Sequence, residues 1–221
     1  MIEVMKPKKL EILELTPSFI EDFWLEPKYD GYRTLIGKEN HRMTALSRLG
    51  NSKTGNIPHI LQDLEHIPNG TILDGEIIFT AKSYMGYPLL SDFTRVKQIM
   101  GSQPDAALTK QRMYGWVSYI VFDILFLGGV DLRNRPLGDR HEILRSIVKE
   151  GSYAQLSPTF VPSDDLVEEF LQHGAEGVVL KKVESDYQSG KRPVNHWYKI
   201  KMQDTVDAVV MGVTAPELWH T

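Results

Sequence analysis

The chain contains no cysteine, which excludes a disulfide framework, a thiolate metal site and a cysteine nucleophile. It has no run approaching the ~20 apolar residues that a membrane-crossing helix needs. Its first residues, Met1 to Lys6, lack the apolar segment of a secretory signal. Nor does it carry an excess of positive charge. Lys and Arg number 25 against 29 Asp and Glu, a net of −4, which argues against a uniformly basic nucleic-acid binder and leaves room for a local basic groove. No internal repeat, low-complexity tract or interior linker interrupts the pattern. What is present is the composition of a globular protein: 221 residues, 42% hydrophobic and 24% charged, enough to bury a core in one large domain or two small ones. These features fit a cytoplasmic protein.

Residues 23–37 read as strand, tight turn, strand, and residues 41–47 as a further strand pairing back. Residues 57–66 and 139–149 have helical apolar spacing. Residues 71–80 and 117–127 are rich in β-branched and aromatic residues and read as strands, the second closed by Gly128-Gly129. Ser163 is placed to cap a helix over 164–173 that Gly174 ends. Residues 177–183, 197–202 and 206–213 are strand patterns. Antiparallel-looking strands interleaved with four or five helices predict an α+β fold.

The charged clusters carry the chemistry. In Lys28-Tyr29-Asp30-Gly31-Tyr32-Arg33 the simpler reading is a hairpin with solvated charges. The chemical reading is a lysine nucleophile at the base of a cleft. Lysine attacks only as the neutral amine, so it needs burial or neighbouring cations. Alternation puts Asp74 and Glu76 on one face of their strand and Leu73, Gly75 and Ile77 on the other. That polar face meets either solvent or a ligand. Asp123 lies in the otherwise apolar run Tyr119 to Leu127, where burial explains its neighbours but demands a partner for the acid. Glu176-Gly177 begins a strand that reaches Lys181, and Gly177 permits close approach of a ligand. Trp197, Lys199 and Lys201 share one face, where two like charges repel unless an anion bridges them. The simpler reading of these lysines is an edge strand protected against aggregation. Between Lys181 and Lys201 six basic residues (Lys181, Lys182, Lys191, Arg192, Lys199, Lys201) face two acids, Glu184 and Asp186, a positive patch in an acidic chain.

In this order the clusters resemble the adenylation (nucleotidyltransferase) domain of ATP-dependent DNA ligases. Lys28-x-Asp30-Gly31-x-Arg33 is similar to the family's nucleotide-attachment motif, and Ser47-Arg48-Leu49-Gly50 to its Ser-Arg-x-Gly element. Asp74-Gly75-Glu76, Phe122-Asp123, Glu176-Gly177 to Lys181 and Trp197-x-Lys199-x-Lys201 match the later motifs, so the resemblance covers about residues 20–213. It implies an antiparallel-sheet, ATP-grasp-like ligase adenylation fold with flanking helices and a nucleotide cleft between sheets. It also implies that Lys28 attacks the α-phosphate of ATP, carries AMP as a phosphoramidate and passes it to the 5′-phosphate of nicked double-stranded DNA. By the same resemblance Lys199 and Lys201 hold the α-phosphate. Arg33 and Glu76 face the ribose, Phe122 and Val179 sandwich the adenine, and Glu26 lies near its amino group. Lys181 and Gly31 belong to the nucleotide site. Glu176 and the Asp30 region hold Mg²⁺ or another divalent cation. Arg48 meets sugar or DNA phosphate, and Lys182, Lys191 and Arg192 face the DNA backbone.

The adenylation domain is expected over 1–204, with 205–221 resembling the first strand of the OB-fold domain that follows it in such ligases. Without the rest of that domain, slow self-adenylation and weak DNA binding are expected. Only 27 residues precede Lys28, which directs the resemblance to small bacterial or viral-type ligases acting as monomers. Two alternatives share the lysine motif or the cleft: an mRNA-capping-type guanylyltransferase, and a noncatalytic nucleotide- or DNA-binding module.

Overall fold

The computed structural model describes residues 2–10 and 20–201. The strand expected over 206–213 and the second-domain start over 205–221 lie outside the described residues. In chain order the strands are β1 (Lys8–Lys9), β2 (Phe23–Pro27), β3 (Tyr32–Glu39), β4 (Arg42–Ser47), β5 (Thr71–Ile78) and β6 (Thr80–Tyr84). They continue with β7 (Tyr87–Ser91), β8 (Ser118–Leu127), β9 (Val130–Asp131), β10 (Ala154–Leu156), β11 (Gly177–Lys182) and β12 (Trp197–Lys201). The α-helices are α1 (Pro58–Asp63), α2 (Phe93–Met100), α3 (Pro104–Tyr114), α4 (Leu137–Ile147) and α5 (Asp164–Gln172).

One sheet has the order β10-β8-β5-β3-β4, with β9 on the end of β8; the other has the order β1-β12-β11-β2. Pairing is antiparallel except for β1 with β12 and β10 with β8. Strand alternation decides what each face does. In the larger sheet Ile36, Leu73, Ile77 and Val121 pack under helices that supply Ile60, Val96, Ile99 and Leu144. In the smaller sheet Leu25, Val178, Leu180 and Ile200 pack on Val167 and Phe170 of α5. Ser163 caps that helix, its hydroxyl accepting from Leu166 N at 3.2 Å, as its position in the sequence predicts. A third cluster, with Met5, Leu35, Phe122, Leu125, Tyr187 and Trp197, joins the two sheets.

The sequence pattern corresponds to an element at each strand and helix it named within the described residues. It named none over 81–116, where α2, α3 and the β6–β7 hairpin lie. The reason is visible in α3, whose buried residues are only Ala107 and Gln111, too small and too polar to mark an apolar stripe.

The hairpin reading of residues 23–37 is overturned. β2 and β3 belong to different sheets and do not pair. Lys28 to Gly31 therefore cross from one sheet to the other at the mouth of the space between them. Lys28 N donates to Gly177 O at 2.9 Å, which extends β2 by one rung and fixes the crossing point.

Candidate active site

The space between the sheets is a cleft of about 490 Å³. Glu26, Lys28, Asp30, Gly31, Arg33, Arg48 and Glu76 line it, with Phe122, Glu176, Val179, Lys181, Arg192, Lys199 and Lys201. The fold thus brings together residues as far apart in number as Glu26 and Lys201. It does so by parity. On β2, β11 and β12 the apolar residues facing α5 alternate with Glu26, Val179, Lys181, Trp197, Lys199 and Lys201, which face the cleft.

Lys28 lies at the crossing, and its amine donates to Glu176. The other oxygen of that carboxylate takes Lys201. A carboxylate therefore bridges the nucleophile candidate to one of the paired lysines. The simpler reading of Glu176 as a solvated group at the start of a strand falls for the same reason. So does that of Lys199 and Lys201 as guards of an edge, because β12 lies inside the sheet between β1 and β11. Burial holds the Lys199 amine below its ordinary range, helped by Lys201, Lys28 and Arg192.

Two glycines are dictated by close approach. A Cβ on Gly31 would lie 2.2 Å from Ile77 O, and one on Gly177 2.0 Å from Ile200 O. Neither site admits a side chain while the crossing stays packed against β5 and β12.

The acids of β5 do not form an exposed face. Asp74 is fully buried and accepts from Arg33 Nε at 2.6 Å, Arg33 Nη2 at 2.7 Å and Tyr187 OH at 2.6 Å. Burial opposes the Arg33 charge, but Asp74 outweighs it and holds the guanidinium protonated. Glu76, two residues on, has no such partner, and burial pushes its carboxyl up to about 8. Between the usual carboxylate range and pH 8 the folded state therefore binds more protons than the unfolded state. Stability falls as pH rises through that window, by at most about 1.4 kcal/mol per pH unit. Glu76→Gln removes this dependence. Urea unfolding of both proteins from pH 5 to 9 will show the variant gaining on the parent as pH rises.

Phe122 reaches the cleft through an irregularity that alternation does not show. Asp74 pairs with Asp123 and Gly75 with Val121, so Phe122 is the extra residue of a bulge in β8. Bulges re-aim side chains, and here consecutive residues take different roles. The Phe122 ring lines the cleft with Arg33 and Lys181 each 4.4 Å from its centroid. The Asp123 carboxylate turns to Arg140. Arg140 is the partner the sequence demanded but did not identify; it accompanies no motif and sits in an ordinary helical pattern. Lys181 pairs with Glu26 at 2.7 Å, and both are buried. Burial holds the Lys181 amine below its ordinary range, against the pull of Glu26.

The positive patch of 181–201 is not one surface. Lys181 is buried in the cleft. Lys182 points to the opposite side of β11, within 3.5 Å of Asp22. Lys191 is exposed outside the cleft, and Arg192 lines it. Two residues the motifs missed are Tyr187, which orients Asp74, and Lys6, which lines the cleft beside Arg192.

The donors suit a small hard cation. Asp30 and Glu176 line both the cleft and an adjoining cavity of about 250 Å³. Burial and then Glu176 push the Asp30 carboxyl up, the mutual repulsion that a shared cation relieves. Among the described residues no group of three or more His, Asp or Glu could hold a metal by itself. Magnesium commonly takes one or two carboxylates and completes its shell with water and substrate phosphate.

Two sheets enclosing a cleft, with a lysine at the crossing between them and cations on the facing strand, are the architecture of a nucleotidyltransferase domain. The family described as ATP dependent DNA ligase domain matches residues 5–201, and the chain belongs to that family. It is 31% identical over 202 residues to DNA ligase 1 of Methanosarcina mazei, covering 85% of this chain and 35% of that protein. It is 30% identical over 206 residues to the SPbeta prophage-derived DNA ligase-like protein LigB of Bacillus subtilis, covering 90% and 68% respectively. The chain thus spans about a third of the archaeal relative's length and two thirds of the prophage-derived one. Among solved structures, the ligase domain of M. tuberculosis LigD aligns with a TM-score of 0.67 at 24% identity, over 90% of this chain and 59% of that one. Chlorella virus DNA ligase-adenylate aligns with a TM-score of 0.61 at 20% identity, over 90% and 67%. These likenesses establish the shared fold.

Proposed function

We propose that this domain takes AMP from ATP onto Lys28 and delivers it to the 5′-phosphate of nicked double-stranded DNA, as the first stages of strand sealing. The observation that carries the reading is the Lys28 amine, hydrogen-bonded to Glu176 at the mouth of a cleft that Lys199 and Lys201 line. The neutral amine attacks the α-phosphorus, a P–N bond forms, and the P–O bond to pyrophosphate breaks with its electron pair leaving on the pyrophosphate. Such a transfer depends on positioning and charge neutralisation. Lys199 and Lys201 supply that charge at the α-phosphate. Phe122 and Val179, on opposite walls, take the adenine between them. Glu26 and Lys181 present an acceptor and a donor to its edge. Arg33, held rigid by Asp74, and Glu76, half-buried beside it, meet the ribose. Arg48 and Lys191 face the DNA backbone.

A divalent cation, when bound, neutralises the phosphate oxygens. Glu176 and Asp30 are the residues that would hold it. Glu176, which accepts from the Lys28 amine, would be shared between that cation and the nucleophile.

The test is incubation with ATP and Mg²⁺ followed by intact-mass measurement. A gain of one AMP, and its loss on adding nicked duplex DNA, is the expected result. A GMP adduct from GTP in its place supports a guanylyltransferase. Nucleotide binding with no adduct reduces the domain to a binding module.

A further inference from the structure

We infer that Lys6 and Arg192, together with Lys199, form a cradle for the pyrophosphate that leaves when Lys28 attacks the nucleotide. The inference rests on the adenylation reading above and concerns the opposite side of the same reaction. In phosphoryl transfer the attacking and leaving groups lie roughly in line with phosphorus between them. The pyrophosphate therefore departs on the side of the α-phosphate that faces away from Lys28.

Strand order fixes that side. Lys28 follows β2 at one edge of the four-stranded sheet; β11 and β12 come next, and β1 forms the other edge. Neighbouring strands are ~4.8 Å apart, so β2 and β1 are separated by roughly 14 Å. That distance places an α-phosphate above the middle of the sheet and a departing pyrophosphate toward β12 and β1. The cleft there is lined by Lys199 of β12, Lys6 just ahead of β1, and Arg192. Lys6 N donates to Lys191 O at 3.0 Å, which holds the backbone of Lys6 next to that of Arg192. Gly190 N donates to Glu3 O at 3.2 Å, and Met5 N to Tyr187 OH at 2.9 Å. The segment carrying Lys6 is thus laced to the 187–191 loop along its length.

Charge points the same way. Elsewhere in the cleft the cations other than Arg48 are matched: Lys28 and Lys201 share Glu176, Lys181 holds Glu26 and Arg33 holds Asp74. Lys6, Arg192 and Lys199 form no ion pair with a carboxylate among the described residues. With Lys199 shared with the α-phosphate, the further unmatched cations Lys6 and Arg192 at the far edge suit a trianionic or tetraanionic leaving group.

Calorimetric binding of ATP, AMP and inorganic pyrophosphate, each with Mg²⁺, tests the cradle on the parent chain, Lys6→Ala, Arg192→Ala, the double variant and Lys6→Arg. The double variant should lose roughly tenfold or more in affinity for ATP and pyrophosphate, the scale of charge-assisted contacts. AMP affinity should stay within about twofold, and Lys6→Arg should retain most of the pyrophosphate affinity. Equal losses for ATP and AMP, or unchanged pyrophosphate binding, would overturn the cradle. A second measurement follows AMP transfer from adenylated protein to nicked DNA, where Lys6→Ala should match the parent. A defect confined to that transfer assigns Lys6 and Arg192 to DNA phosphates and overturns the cradle as well. If the parent forms no adduct, the adenylation reading fails, and pyrophosphate binding still decides whether the three cations hold it.

Discussion

Replacing Lys28 by alanine will abolish the AMP adduct and leave the melting temperature of the chain almost unchanged. The two halves of this result have separate causes. The adduct is a bond to one nitrogen, and the other lysines of the cleft are placed differently: Lys199 and Lys201 lie two strands away on β12, and Lys181 is buried against Glu26. Stability depends little on the same amine. The Lys28 and Glu176 side chains are 17% and 21% exposed, and partly solvated pairs of this kind contribute about 0–1 kcal/mol. Glu176 also keeps Lys201 when Lys28 is gone. Intact mass after incubation with ATP and Mg²⁺, with a thermal melt of the same sample, checks both halves. A surviving adduct contradicts the assignment of the nucleophile. A fall in melting temperature as large as that of a core truncation contradicts the placement of the side chain.

Arg140→Ala should give the opposite profile, with a loss of about 3–5 kcal/mol of stability. The Asp123 and Arg140 side chains are both fully buried. Arg140 donates to both carboxylate oxygens at 2.8 Å, to Arg135 O at 2.6 Å and to Ser185 O at 3.1 Å. Burial alone would push the Asp123 carboxyl up; the guanidinium outweighs it and holds that carboxyl below its usual range. The pair's contribution is therefore present above the usual carboxylate range and is lost as pH falls through the lowered folded value. Alanine leaves Asp123 buried without a counterion, and the loss is a large fraction of the ~5–15 kcal/mol that holds a domain together. Because Asp123 follows Phe122 in the β8 bulge, the same variant should also slow adduct formation at temperatures where it remains folded. Asp123→Leu with Arg140→Met removes both charges and should cost less than Arg140→Ala alone. Urea unfolding of the single and double variants decides; a double variant less stable than the single one would refute the account.

The sequence carried the outline of the candidate site because its motifs are local. A lysine before Asp-Gly, an acid ahead of a glycine at the start of a strand, and two lysines in alternation are short patterns whose meaning needs only the period of a strand. Alternation also put Lys199 and Lys201 on one face with Trp197, and all three line the cleft while Ile200 packs in the core. At β8 a one-residue bulge shifts the register, and the sequence did not show that Asp123 turns to Arg140. The charge count over 181–201 did not show that Lys181 and Lys182 point to opposite faces of one strand.

Short ordered motifs were enough to name the family resemblance, the candidate nucleophile and the strands that carry the cleft. Partnership was not legible, because it depends on which sheet each strand joins. Only the folded chain puts β2 and β3 in different sheets, sets Glu176 between Lys28 and Lys201, matches Asp74 with Arg33 and Asp123 with Arg140, and brings Lys6 beside Arg192. Those contacts span tens to hundreds of positions along the chain, and a local pattern holds no information about distances that only packing creates.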